Sequence, residues 1–441
     1  MAGTTKRIIS LILALSLISG CILTFSSCLY TYDILTGQNE GKKDDGGNNT
    51  SKPDNQNSPQ NNTSSGATDQ NDDETVEYYP VDNTEELSGL EGAAKTLLST
   101  VIIDARFDIY NSYPYGTTET TEHSSYGSGV IYKLDKEAGD AYIITNYHVV
   151  YNSSSATSDG ISDKIDLYLY GQQLSSYAIE ATYVGGSMNY DLAVLKVEGS
   201  EVLKNSAAVA AAVGNSDEVA VFDKVYAVGN PEGLGMSATD GMVSVDSETL
   251  TMTGADGRTT LSLRVMRVSA AINEGNSGGG LYDTDGNLIG IVNAKRTGSD
   301  IDNIAYAIPI NLAKNIAENI IYNCDGETKT SLYRCLLGVT LTAKVTGVVV
   351  DGENDTVTKV EIVEVDSLTD DSVMAGQLKA GDIINSITLD GVTVKVTRIH
   401  HVIDLMMLAR VGSQVTINAT RDGVAFDAQI TVPESAITEF E

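Results

Sequence analysis

From about Glu91 onward, short runs rich in Val, Ile and Tyr alternate with clusters of Gly, Asp and Asn: "YGSGVIYKL", "AYIITNYHVV", "KIDLYLYG", "YDLAVLKV", "KVYAVGN", "DGMVSVD", "LRVMRVSA" and "GNLIGIVNA". Short strands closed by such turns predict an antiparallel sandwich or barrel. Helical spacing is scarce. One example, Asn311 to Tyr322, follows Pro309 and places Leu312, Ile316, Ile320 and Ile321 on one face, as a helix closing the domain would. A second series begins near Tyr333, with "LLGVTL", "GVVVD", "KVEIVEV", "AGDIINSITLDGVTV" and "SQVTINATRDG" as strands. Helical patterns at Asp371 to Gln377 and His401 to Arg410 complete a small α+β module.

The first ninety residues follow neither period. Lys6 and Arg7 precede an apolar run from Ile8 to Ile18, and Ser19-Gly20-Cys21 then supplies small residues before a thiol. This resembles a bacterial lipobox, with Cys21 as the acylated residue; Cys28, after Ser26-Ser27, is a second candidate. An uncleaved helix is the third reading, since the apolar stretch through Tyr30 is long enough to span a bilayer. All three place residues 1–30 in the role of targeting or anchoring and the remainder outside the cytoplasm. Residues 31–90 shift to Asn, Asp, Ser, Gly, Gln and Thr, with too little apolar surface to offset ordering entropy, and read as a disordered polar tether.

Charge narrows the function classes. The 28 Lys and Arg residues face 60 Asp and Glu, a formal net charge of -32, so no basic stripe exists to displace counterions from DNA or RNA, and nucleic acid is excluded as a partner. Four cysteines do not make a disulfide scaffold, and no Cys-x-x-Cys pair marks a zinc or redox site; no metal and no cofactor are expected. Cys324 and Cys335 would be able to bridge in an oxidising compartment.

Candidate chemistry begins at "AAINEGNSGGGL". Glycine in a regular element costs about 0.5–1 kcal/mol relative to alanine, so a cluster marks positive φ or backbone that must approach a ligand closely. Gly275-Asn276-Ser277-Gly278-Gly279 also fits Gly-x-Ser-x-Gly, the pattern of an exposed nucleophile. A serine hydroxyl needs a base and a carboxylate to orient that base. Of four histidines, His123 lies in a polar stretch and His400 and His401 open a helix, whereas His148 ends the apolar run "AYIITNYHVV". Asp191 stands directly before the apolar strand "LAVLKV". After Ser277 the chain enters a hairpin, "LYDTDGNLIGIVNA", which excludes the strand-to-helix elbow of α/β-hydrolases. The order His, Asp, Ser on an all-β domain is that of the chymotrypsin type. The glycine-rich "GNPEGLG" at Gly229 to Gly235 lacks the Gly-Lys-Ser/Thr ending of a phosphate loop, and no helix follows it.

"TNYHVV", "DLAVLKV", "GNPEGLGMSATDGMVS", "GNSGGGL" and "AYAIP" follow one another in the order and spacing of the HtrA/Deg serine proteases, and the sequence from about Glu91 to the C-terminus resembles that family. "LLGVTL" and "GQLKAGDIINSI" are similar to its PDZ domain. The resemblance implies a mainly β chain: a chymotrypsin-like double β-barrel protease domain over 91–325, then a small α+β PDZ domain over 333–438. It implies His148, Asp191 and Ser277 as catalytic residues, with an oxyanion hole from Gly275, Ser277 and Asn276. Each such donor is worth roughly 3–4 kcal/mol to the transition state. Ala271 would form the base of the S1 pocket, small and uncharged, with Ile291, Val292, Asn293 and Ala294 as one wall, favouring small aliphatic P1 residues. The family places Gly229 to Gly235 beside the active site.

The implied activity is ATP-independent endopeptidase cleavage of unfolded or damaged proteins at the outer face of a bacterial membrane. Leu336, Leu337, Gly338 and Val339 would present amides to a peptide C-terminus. Many relatives are homotrimers assembled through aromatic residues near the protease N-terminus, here Phe107 or Tyr110. The chain departs from the family at Gly280, where a proline is usual, at Asn276, where digestive relatives carry an aspartate, and at Glu274, where some members carry a basic residue. The rival reading is a surface-tethered PDZ chaperone or scaffold whose protease fold is inactive.

Overall fold

In a computed structural model, the residues described are 92–112, 118–172, 177–293, 304–324, 326, 329–352 and 356–440. The readings for residues 1–30 and 31–90, Cys21, Cys28 and Ala294 fall outside them. Alternating strands pair into β1 (Thr100–Ser112), β2 (Thr118–Asp135), β3 (Asp140–Thr145), β4 (Lys164–Tyr168), β5 (Ile179–Ser187) and β6 (Leu192–Val197). These close a barrel in the order β1-β2-β3-β6-β5-β4. Closure leaves no free edge, and inward positions such as Ile103, Ile143, Leu167 and Leu195 fill the interior.

A second barrel forms from β7 (Lys224–Gly229), β8 (Ser237–Thr253), β9 (Thr260–Val268), β10 (Gly280–Tyr282), β11 (Leu288–Asn293) and β12 (Ala305–Pro309), ordered β10-β11-β12-β9-β8-β7. The predicted closing helix is Ile310–Asn323. It buries Leu312, Ile316 and Ile320 against Val194 of the first barrel and Ile291 and Ile308 of the second, so one core runs between the barrels. Both barrels are antiparallel throughout, as the alternating pattern requires.

The C-terminal module contains β13 (Leu332–Cys335), β14 (Val339–Asp351), β15 (Thr356–Leu368), β16 (Ile383–Leu389), β17 (Val392–Lys395), β18 (Gln414–Arg421), β19 (Val424–Thr431) and β20 (Ile437–Phe440). Its sheet runs β14-β15-β16-β18-β19, with β17 on β16, while β13 and β20 pair separately. Of the two expected helices, one forms as Ile399–Met406, starting and ending earlier than its pattern suggests. The other does not form: 371–377 is a series of turns, with Gly376 at φ 81° and the Ser372 hydroxyl bonded to the Leu337 carbonyl at 2.8 Å. Local side-chain bonding of this kind competes with a helix. Cys324 and Cys335 are both free thiols. Among the described residues, no helix is long and apolar enough to cross a membrane.

Candidate active site

Each of the three predicted side chains sits in a connection next to a barrel strand. Strand β3 ends at Thr145, and a single helical turn, Tyr147–Val150, carries His148; the histidine thus follows the strand instead of ending it. Asp191 precedes β6 in the left-handed region, φ 50°, a conformation costly for a non-glycine residue. Its backbone is held there by a bond from its N–H to the Met188 carbonyl, 3.1 Å, and one from the Asn146 amide to its carbonyl, 2.8 Å. The Asp191 side chain then spans His148. Oδ1 accepts the His148 backbone N–H at 3.0 Å, and Oδ2 accepts the ring Nδ1 at 2.7 Å. A carboxylate can only accept here, so Nδ1 carries the hydrogen and Nε2 keeps its lone pair for another proton.

Asp191 is 3% exposed, and its second Oδ2 partner comes from the other barrel: the Asn293 amide, at 2.9 Å. Asn293 therefore holds the carboxylate from the second barrel. Its presence as the one polar residue in the otherwise apolar strand "LIGIVN" was the available signal. Ile291 and Val292 are both wholly buried within hydrophobic clusters, and Ala271 is exposed.

The Ser277 loop is tied down carbonyl by carbonyl. The Glu274 carbonyl accepts the Glu232 N–H at 2.7 Å, that of Gly275 accepts the Ser128 hydroxyl at 2.7 Å, and that of Ser277 accepts the Ser128 N–H at 2.8 Å. Gly278 and Gly279 bond across to β11, the Gly278 N–H donating to the Val292 carbonyl at 2.9 Å and the Gly279 carbonyl accepting the Val292 N–H at 2.8 Å. Ser128, wholly buried on β2, thus bridges the barrels and also accepts the Asn230 N–H at 2.9 Å. No motif reading marked it. The "GNPEGLG" loop lies beside the Ser277 loop, as expected.

Gly275 and Gly278 explain the cluster of glycines. Their φ values are 91° and 83°, and a Cβ would drive Gly275 into the Asn230 carbonyl and Gly278 into the Ser128 carbonyl and Thr145 hydroxyl. The Gly275 N–H has no partner among the described residues. Asn276 is different: its N–H donates to the Asn273 carbonyl at 3.1 Å, which removes it from the expected oxyanion donors.

In the C-terminal module, Leu336 likewise drops out as an amide donor, because its N–H is taken by the Ala436 carbonyl at 2.7 Å. Leu337 and Gly338 donate from their N–H groups to nothing among the described residues, and β14, which begins at Val339, has a strand partner on only one side. Phe107, 2% exposed inside the first barrel, is unavailable to another subunit, whereas Tyr110 is 63% exposed.

Residues 127–291 match the family described as trypsin-like peptidase domain. The sequence is 37% identical over 235 residues to the serine protease Do-like HtrA of Bacillus subtilis (strain 168), covering 53% of this chain and 46% of that protein. With the protein of the same name from Lactococcus lactis subsp. cremoris (strain MG1363), identity is 36% over 236 residues, covering 52% and 51%. The chain thus spans about half the length of the curated relatives it matches. A solved structure, "HtrA-type protease AlgW with decapeptide", covers 77% of this chain and 96% of its own at 25% identity, with a TM-score of 0.46. Residues 127–291 accordingly match a trypsin-like peptidase domain, and about half of the chain is similar in sequence to HtrA-type serine proteases.

Proposed function

We propose that the protein is a serine endopeptidase that cleaves unfolded or damaged proteins outside the cytoplasm, working through an acyl-enzyme. The observation that carries this reading is the Asp191 carboxylate gripping His148 at Nδ1 and at the backbone N–H while Asn293 holds it from the second barrel. Ser277 Oγ attacks the scissile carbonyl. His148 Nε2 takes the hydroxyl proton and returns it to the leaving amine, and Asp191 keeps the ring in the required tautomer and stabilises its cation. The amides of Gly275 and Ser277 receive the oxyanion. Ala271 gives the S1 pocket a small, uncharged base, so small aliphatic P1 residues are cleaved faster than Lys or Arg. A panel of peptides differing only at P1 checks this.

The C-terminal module is read as a PDZ domain. Leu337, Gly338 and Val339 offer backbone to a terminal carboxylate while the peptide pairs along the free side of β14. The N-terminal segment anchors the chain through a lipid or a helix at the outer face of a bacterial membrane, and Tyr110 is the remaining aromatic candidate for a homotrimer contact.

The deciding experiment treats the membrane-extracted protein with a fluorophosphonate probe and, in parallel, with casein. Labelling and digestion that both vanish in Ser277→Ala support the assignment. A wild-type protein that neither labels nor digests casein, with or without added C-terminal peptides, would leave a tethered scaffold instead.

A further inference from the structure

Two histidines that take no part in the proposed chemistry meet an aspartate from a different part of the chain. His400 and His401 occupy the first turn of helix Ile399–Met406 in the C-terminal module, and Asp217 lies in the loop that leads into the second barrel at β7. His400 Nε2 is 3.8 Å from Asp217 Oδ1, and His401 Nε2 is 3.8 Å from Oδ2. One ligand atom from each residue can be chosen so that all lie within 4.8 Å of one another. The two imidazole side chains are 11% and 10% exposed, and that of Asp217 is 24% exposed.

Those distances are too long for hydrogen bonds, and tautomer chemistry makes the arrangement unfavourable without a cation. His401 Nδ1 lies 3.0 Å from the Lys395 carbonyl oxygen, which can only accept, so Nδ1 carries the hydrogen. The Thr397 N–H also approaches that nitrogen, at 3.4 Å, and would need the opposite tautomer; the shorter contact decides. In the neutral ring, Nε2 then points a bare lone pair at a carboxylate oxygen. An imidazole whose far nitrogen is fixed by a backbone carbonyl and whose near nitrogen faces a carboxylate across a gap is the usual arrangement around a bound metal.

Electrostatic balance agrees. Arg264 is paired with Asp404, and Arg398 with Asp246 at 2.9 Å and Glu361 at 3.3 Å. With Lys314 also acting on Asp404, four carboxylates stand against three cations, which leaves the cluster one net negative charge to attract a cation. Tetrahedral ligands about 2.1 Å from a zinc ion are roughly 3.4 Å apart, so the observed spacings need only small side-chain rotations. Two imidazoles and one carboxylate suit a first-row transition ion over calcium or magnesium.

We propose that Asp217, His400 and His401 form a binding site for a divalent transition ion, zinc as the probe, that cross-links the C-terminal module to the second barrel. The site is independent of the peptidase reading, since none of its residues touches His148, Asp191 or Ser277. Isothermal titration of the full detergent-extracted chain with zinc chloride tests it, together with cobalt(II) absorption, whose visible bands report tetrahedral nitrogen and oxygen ligands. One ion is expected per chain, with at least tenfold weaker binding in His401→Gln and in Asp217→Asn and no change in His123→Gln or His148→Ala. Zinc should also raise the melting temperature of the wild type but not of Asp217→Asn, a half-exposed position whose change leaves the fold intact. The proposal is overturned if wild type binds zinc no more tightly than Asp217→Asn, or if binding disappears in His148→Ala.

Discussion

At the scale of single residues, the site depends on how firmly a carboxylate is held. Asp191 has three donors, of which two come from His148 and one from Asn293. Removing an outer partner of such a carboxylate leaves the catalytic groups present but less well oriented. Asn293→Ala should therefore lower kcat by about tenfold with little change in KM, measured on a chromogenic peptide, if the amide acts through Asp191 alone. Asp191→Asn should cost about 10⁴-fold in kcat, since an amide no longer fixes the Nδ1–H tautomer. Cys335 behaves in the opposite way: burial pushes its thiol up to about 11 from 9, which cuts the thiolate fraction near pH 8 by roughly a hundredfold. Peptide mapping after brief iodoacetamide treatment should find Cys335 unmodified in the native protein and modified after denaturation. His148 and Asp191 were legible because each stands at the edge of an apolar run, where a polar side chain is conspicuous, and Ser277 because of the glycines around it. Ser128 and Asn293 were not, because their partners lie on strands distant in sequence and only barrel closure brings them together.

At the scale of elements, the departure at Gly280 has a packing cause. A Cβ at this position would fall into the ring of Tyr282, which is wholly buried and whose hydroxyl lies 2.9 Å from the Thr100 hydroxyl and 3.2 Å from that of Ser99. The tyrosine thereby ties β10 of the second barrel to the start of β1 in the first. Gly280→Ala should destabilise the protein by about 1–3 kcal/mol, as overpacking of a closed core does, seen as a lower denaturation midpoint. Within the C-terminal module, the loop before β16 is fixed by Asp382, whose side chain is 0% exposed and takes two bonds of 2.7 Å from Arg421. The Arg421 bond, followed by the Lys379 N–H, holds the Asp382 carboxyl below its usual range. A depressed carboxyl contributes stability above its unfolded value of 3.8 that disappears as pH falls through the folded one. Asp382→Asn should thus destabilise the module at pH 7 and progressively less under strong acid, followed by denaturant titration at each pH. Strand content in this module was readable from alternation, but 371–377 was not. Its short apolar spacing mimics a helical turn, and only the Ser372 bond to Leu337 shows why the chain turns instead.

At the scale of the whole molecule, the C-terminal module is joined to the two barrels by buried polar contacts. The Asn319 amide of the closing helix donates to the Met407 carbonyl at 2.6 Å, the Asn315 amide to the Asp404 carbonyl at 2.8 Å, and Arg264 of β9 pairs with Asp404. None of these pairings could be read from the sequence, since each joins residues about ninety or more positions apart. The Asp404 side chain is 7% exposed, and burial pushes its carboxyl up to about 6 despite the neighbouring guanidinium. The folded state therefore binds a proton more readily than the unfolded chain, so stability from this group is full below the unfolded value of 3.8 and is lost as pH rises through 6. Arg264→Leu leaves the buried carboxylate uncompensated. It should weaken the union of module and barrels by about 3–5 kcal/mol at pH 7.5, and the defect should shrink on acidification toward pH 5 as Asp404 takes up its proton. The double variant Arg264→Leu/Asp404→Leu, which removes both charges, should recover most of the loss, because two apolar side chains can replace a buried ion pair at little cost. Denaturant unfolding followed separately in the module and the barrels would read this as two separated transitions in the single variant and coincident ones in the wild type and the double variant.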